Sequence, residues 1–475
     1  MQTSDFSAGR TARPQNKSYP AGGTKSARSA QKATGHVAKS GVIVTPHSGN
    51  TEEREPYLVL HRGFDTLALS VQAQIGPELF DYLTERKAVA EEENREVLTD
   101  FNSVQLLLKP YGGKGYAFLC DGGQEGGAWA FKKPNNRDKW GVRVSFGSFF
   151  MTNFGLGAAK AHVETVLDRL GIRYGPEDVS IARVDFCVDV LAPSFALNPA
   201  QLVMHSSTKR RDQLEPESLV SHGTSGRHSS VTAGKIGNKQ VIIYDKRAET
   251  IVHGKAFLWS VWNDTLRKYI EDSSRNDTLR RKLVALFGTD TLRDVSLSPD
   301  KIQADRNRVW RIEFRAGKTC LKDRWGIRTW EQLFDQFGDL CRSLGEQIRY
   351  TEPDPNDTNR ARWTNHPIWD IACAEINDDL IEMRSGMDPN PMKEVHREQH
   401  ISTLFKTAMG TCITIAALEG RKPEDLASTL RRYGADMADK AQADFARAAK
   451  QLDDAKERYV FIRQPNANAS QPITP

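Results

Sequence analysis

Three short segments of this 475-residue chain carry residue types that could act on a phosphate. In Gln240-Val241-Ile242-Ile243-Tyr244-Asp245-Lys246, strand alternation sets Gln240, Ile242, Tyr244 and Lys246 on one face and Val241, Ile243 and Asp245 on the other. A phenol beside an ammonium group has the makings of a nucleophile. An unperturbed tyrosine has a pKa of about 10, and a neighbouring cation that favours the phenolate lowers the cost of using Tyr244 in covalent catalysis. A packed, amphipathic strand tyrosine fits the same seven residues.

The second segment, Arg183 to Val190, divides by period two. Val184, Phe186, Val188 and Val190 make an apolar face, opposed by Arg183, Asp185, Cys187 and Asp189. The third, Arg308 to Arg315, repeats the device, with Trp310, Ile312 and Phe314 opposite Val309, Arg311, Glu313 and Arg315. Each strand alone fits a solvent-facing sheet in which Arg183 pairs with Asp185; three together point to a shared site. Carboxylates with a phenol and cations meet the needs of metal-assisted phosphoryl transfer, in which hard oxygens hold Mg²⁺ or Mn²⁺ and basic groups neutralise developing charge. Asp185 and Asp189 lie four residues apart, roughly 13 Å on a strand, so they cannot ligate one ion without a bend. Asp185, deeper in the strand, is the expected ligand with Glu313 as its partner, and Asp189 the alternative or supporting carboxylate.

These elements sit in a chain long enough for two or three domains. Its six cysteines are widely spaced with no C-x-x-C pair, which argues against a zinc ribbon and a disulfide framework and for a reducing cytoplasm. The longest apolar run, Cys412 to Leu418, is far short of the roughly 20 residues of a membrane span, so a soluble chain with no membrane partner is expected. The net charge of +5 is unevenly spread: residues 1 to 50 carry seven Lys or Arg against Asp5 alone. Residues 301 to 330 hold nine basic residues against Asp305, Glu313 and Asp323, a phosphate-facing region or an ordinary solvated face.

The expected organisation is a disordered basic arm (1–54), a β-rich catalytic domain (55–330), a C-terminal helical region (331–463) and a polar tail (464–475). Lys209, Arg210 and Arg211, with Arg275, Arg280, Arg281 and Lys282, could grip a phosphate backbone or be solvated. The stretch Pro110 to Gly115 lacks the spacing of a phosphate loop and reads as a hairpin turn.

The series R-V-D-F-C-V-D (Arg183 to Asp189), G-K-I-G-N-K-Q-V-I-I-Y-D-K-R-A-E (Gly234 to Glu249) and W-R-I-E-F-R (Trp310 to Arg315) resembles the replication initiators of staphylococcal-type rolling-circle plasmids, a group that includes relaxases of conjugative elements. F-D-T-L-A-L-S-V (Phe64 to Val71) and T-N-R-A-R-W-T-N-H-P-I-W (Thr358 to Trp369) extend the resemblance to about residues 57 to 385. It implies an α+β fold related to the HUH endonucleases, a ferredoxin-like antiparallel sheet with packed helices. It also implies a metal-dependent tyrosine that nicks one strand of plasmid or phage origin DNA, leaving a 5′-phosphotyrosyl link and a free 3′-OH. On that resemblance Tyr244 is the nucleophile, Lys246 stabilises phenolate or phosphate, Asp185 and Glu313 hold Mg²⁺ or Mn²⁺, and Arg311, Arg183 and Arg315 orient carboxylates or bind DNA.

The chain departs from the wider superfamily in having no His-x-His pair; His205, His222 and His228 precede the tyrosine strand and are loop residues or a ligand. Replication initiation is the expected role, with conjugative relaxation by the same chemistry, or DNA binding without catalysis, as alternatives. Origin DNA, double- and single-stranded, is the expected partner, and a host helicase and a homodimer are left open.

Overall fold

Strand β1 (Leu58–Val71) is 14 residues long and supports the sheet on both of its edges. It pairs antiparallel with β6 (Val142–Phe146) on one side and with β7 (Val179–Leu191) on the other. Beyond β6 lie β5 (Ala128–Phe131), β4 (Phe118–Asp121), β3 (Val104–Leu108) and β2 (Val97–Phe101). Beyond β7 lie β12 (Val309–Gly317), β11 (Lys239–Asp245), β10 (Arg227–Gly234) and β9 (Leu219–Thr224). The result is one eleven-stranded sheet in the order β2-β3-β4-β5-β6-β1-β7-β12-β11-β10-β9, antiparallel throughout. Strands β8 (Leu202–Met204) and β13 (Ile348–Tyr350) make a separate pair. These facts come from a computed structural model that describes residues 56–204, 219–224, 226–288, 291–300, 307–376 and 389–463. The expected basic arm, the polar tail, His205 and the group Lys209, Arg210 and Arg211 lie outside the described residues.

The alternation read from the sequence decides which face of the sheet is core. Val184, Phe186 and Val188 of β7 and Ile312 and Phe314 of β12 are fully buried with Val241 and Ile243 of β11. Against them packs α6 (Trp330–Gln347), through Leu333, Phe337, Leu340 and Leu344. Its start is set by Thr329, whose hydroxyl accepts from the Gln332 backbone N–H while the Gln332 side chain accepts from the Thr329 N–H. The helix that opens the expected C-terminal region therefore shares a core with the sheet.

The opposite face is polar in its middle and closed at one end. There α4 (Phe257–Ser273) and α5 (Asp277–Phe287) bury Leu258, Trp262 and Leu283 against Leu58, Leu60, Leu191 and Val309 at the strand ends. The remaining helices are α1 (Pro77–Glu93), α2 (Ser148–Arg169), α3 (Lys246–Val252), α7 (Pro367–Ala374), α8 (Pro389–Leu418), α9 (Leu426–Ala443), α10 (Phe445–Arg458) and the short α11 (Val460–Arg463).

Strand β6 ends at Phe146, because Gly147 opens α2 and Phe149 and Phe150 are buried as helix residues. One sequence expectation changes, that no segment reaches membrane length: Lys393–Leu418 within α8 has a mean hydropathy of 1.4 over its most apolar window, with 6% of it buried, and is long and apolar enough to cross a membrane. Reading only Cys412 to Leu418 missed it, since Lys406 and threonines break up the segment before it. The hydroxyls of Thr403, Thr407, Thr411 and Thr414 donate to carbonyls four residues back, which lowers their polarity toward the surroundings.

Candidate active site

Register brings the three segments together. On β12, Arg311 lies opposite Asp189 of β7, Glu313 opposite Cys187, and Arg315 opposite Asp185. On the other side of β12, Tyr244 of β11 lies opposite Arg311, Ile242 opposite Glu313, and Gln240 opposite Arg315. Period two then puts Asp185, Asp189, Arg311, Glu313, Arg315 and Tyr244 on one face of adjacent strands.

Tyr244 occupies the middle of this face. Its hydroxyl donates to Glu313 Oε2 at 3.2 Å and accepts from Lys246 Nζ at 3.3 Å. Lys246 is the first residue of α3, one step beyond the end of β11, and Asp245 caps the helix by accepting from the Ala248 N–H at 2.9 Å. The fully buried ammonium has Glu249 Oε2 at 2.8 Å, and Glu249 Oε1 takes Lys255 at 2.7 Å. Burial raises the Tyr244 phenol well above its ordinary value, and the Glu313 charge adds to this. The expected phenolate stabilised by Lys246 is thus not the resting state. Burial likewise lowers the Lys246 ammonium, with the Arg311 charge acting in the same direction.

Toward the closed end everything is buried. Arg311, fully inaccessible, donates through Nε and Nη2 to Asp189 at 2.5 and 2.8 Å and through Nη1 to Asp65 of β1. Trp262 Nε1 of α4 donates to Asp189 Oδ2 at 2.9 Å. Burial pushes the Asp189 carboxyl up, but Arg311 outweighs it and holds the group below its ordinary value. Asp65 is held low in the same way, by Arg311, Lys246 and Lys255 against burial. Both oxygens of Asp189 are thus committed to Arg311 and Trp262. His61, opposite Asp189 on β1, is buried too, and its Nε2 has no hydrogen-bond partner among the described residues.

Toward the open end the guanidinium groups of Arg183 and Arg315 are partly exposed, while Asp185 and Glu313 are buried. Arg315 Nε donates to Glu313 Oε1 at 2.7 Å and lies 3.8 Å from Asp185 Oδ2; its Nη1 reaches Gln240 Oε1 at 3.3 Å. Arg183 donates through Nε to both Asp185 oxygens at 3.0 and 2.8 Å, and through Nη2 as well. Burial pushes the Asp185 carboxyl up; the Arg183 hydrogen bonds oppose this and the Glu313 charge adds to it, leaving the group at about 7. No group of three or more His, Cys, Asp or Glu residues converges at ligating separation among the described residues. Asp185 and Glu313, the pair expected to hold a divalent cation, are both buried and engaged, Asp185 by Arg183 and Glu313 by Arg315 and Tyr244.

Sequence reasoning missed Asp65, His61, Glu249, Lys255 and Trp262. Asp65 was legible, because F-D-T-L alternates with Phe64 in the core. Trp262 on α4 carried no signal.

No family model matches this chain, and no curated protein matches it. Among solved structures it is similar to the rolling circle replication initiator protein from Geobacillus stearothermophilus, at 13% identity and a TM-score of 0.33, over 68% of this chain and 98% of that one. Those values are too low to transfer an architecture or an activity, so the functional reading rests on the site.

Proposed function

We propose that this protein is a rolling-circle replication initiator that nicks and rejoins one DNA strand at a plasmid or phage origin, with Tyr244 as nucleophile. The observation that carries the reading is the phenol of Tyr244 hydrogen-bonded between a carboxylate and an ammonium on a polar sheet face. In the nicking step the Tyr244 oxygen attacks the phosphorus and its proton passes to Glu313. The P–O3′ bond breaks, the 3′ oxygen leaves and takes up a proton as a free hydroxyl, and the 5′ phosphate stays on Tyr244. Rejoining is the reverse, with the 3′-OH attacking the phosphotyrosyl link.

The other residues support this step. Lys246 places positive charge beside the entering oxygen, and the partly exposed guanidinium groups of Arg315 and Arg183 receive the phosphate at the open end. Arg311, pinned by Asp189 and Asp65, holds β12 and β1 in register beneath Tyr244. Asp185 and Glu313 would hold Mg²⁺ or Mn²⁺, which would supply charge neutralisation at the phosphate. An α+β nicking domain of the HUH type is the architecture that goes with this reading, and its large antiparallel sheet is compatible with it.

The test is incubation of the full chain with supercoiled DNA carrying its gene and flanking sequence, with Mg²⁺ or Mn²⁺. Nicked circles with a 5′ end covalently attached at Tyr244, identified by mass spectrometry, are expected. Nicking by Tyr244→Phe would overturn the assignment; origin binding by wild type with no nicking would favour DNA binding without catalysis.

A further inference from the structure

Two loops at the far end of the sheet carry a cluster of cations that the catalytic reading leaves unused. The first joins β3 to β4. Gly113 and Tyr116 exchange backbone hydrogen bonds at 3.0 and 2.9 Å, which places Lys114 and Gly115 at the tip, both with positive φ (53° and 84°). Glycine or asparagine suits such a turn, and a lysine is disfavoured there by its Cβ. The second loop, from Lys132 to Gly141, joins β5 to β6 and is held in shape from within. Asp138 takes the Lys132 ammonium at 2.6 Å and the Trp140 N–H at 3.0 Å, and Gln74, just beyond β1, ties the loop through the Asn135 N–H and the Asp138 carbonyl.

The loops are adjacent, since Lys132 Nζ sits 5.0 Å from the centre of the Tyr116 ring and the two line one open cleft. Lys114, Lys133, Arg137 and Lys139 are exposed, and none forms an ion pair among the described residues. The one acid of the second loop is already occupied by Lys132. Tyr111, 59% exposed, stands on the first loop. Four unneutralised cations on pre-shaped loops complement a regular array of phosphates.

We infer that these loops bind the backbone of a DNA duplex lying away from the nicked bond. The inference rests on the reading that the protein acts on DNA. Both loops lie at the end of the sheet where β7 begins at Val179, ten residues along that strand from Asp189, which is in register through Arg311 with Tyr244, and the β5–β6 loop is four to five strand positions from β11. At about 3.3 Å per residue and about 4.8 Å per strand, the separation from Tyr244 is on the order of 40 Å, somewhat more than one turn of duplex. The surface would therefore grip phosphates rather more than one duplex turn from the reacting one.

The experiment uses the full chain carrying Lys114→Ala, Lys133→Ala, Arg137→Ala and Lys139→Ala together, with a 40-base-pair duplex followed by fluorescence anisotropy between 50 and 200 mM salt. Affinity at 50 mM salt should fall about ten- to hundredfold, and the slope of log K against log salt should shrink by about 3 to 4, at an unchanged melting temperature. Equal affinity and slope for variant and wild type would overturn the inference, as would loss of binding to anionic phosphatidylserine vesicles without loss of duplex binding. If the catalytic reading fails, with no nicking by wild type, the duplex measurement still decides this one.

Discussion

The Tyr244 hydroxyl and the Glu313 carboxylate meet across adjacent antiparallel strands at 3.2 Å, although Glu313 is in register with Ile242, two residues back along β11. The diagonal contact gives the phenol a proton acceptor while burial keeps it protonated at rest. On the proposed chemistry, this neutral phenol would lose its proton to the carboxylate as it attacks.

Glu313→Gln should therefore slow nicking by about 10²- to 10⁴-fold, the usual contribution of a positioned base, while duplex affinity stays within about threefold of wild type. Single-turnover cleavage of a labelled origin fragment measures it. A rate within fivefold of wild type would remove Glu313 as the base.

The two aspartates of β7 should separate by phenotype. Asp185→Asn should weaken Mn²⁺ binding in calorimetry about tenfold or more with little change in melting temperature, because Asp185 has only the partly exposed Arg183 and Arg315 as cationic partners. Asp189→Asn should leave Mn²⁺ affinity intact and cost about 3 kcal/mol of stability, because it strips a buried guanidinium of its main counter-charge. The opposite pattern would exchange their roles.

Arg311→Lys should also destabilise the fold, by about 3–5 kcal/mol, since one ammonium cannot donate in parallel to Asp189 while reaching Asp65. Urea denaturation followed by tryptophan fluorescence reports it. A loss below about 1 kcal/mol would mean that the buried cluster relaxes around the substitution.

His61 makes stability depend on pH. Burial lowers its pKa from 6.5 to about 4, with Asp189 opposing and Arg311 reinforcing the shift. Between those values the unfolded chain binds the extra proton, so this contribution is fully present above about 6.5 and is lost as pH falls toward 4. The gap corresponds to about 3 kcal/mol. Relative to His61→Gln, wild type should gain stability as pH rises from 4.5 to 7; parallel profiles for the two proteins would reject the assignment.

Much of this site was legible along the chain. Alternation in Arg183 to Val190, Gln240 to Lys246 and Arg308 to Arg315 marks two-faced strands and names their polar residues, because side-chain direction is a local property of extended backbone. The roughly 13 Å between Asp185 and Asp189 foreshadowed two environments. The hairpin turn at Pro110 to Gly115 was legible, but nothing local says that it meets the loop Lys132 to Gly141.

Pairing and desolvation were decided only in three dimensions. Alternation assigns faces without assigning partners, so the register that sets Arg311 against Asp189 and Arg315 against Asp185 comes from the packed sheet. The same holds for Asp65 and Trp262, which reach the site from β1 and α4. Sequence proximity made Lys246 look like the group that would ionise Tyr244. Burial, a property of the whole fold, instead favours the neutral phenol and turns its hydroxyl toward Glu313, 69 residues away.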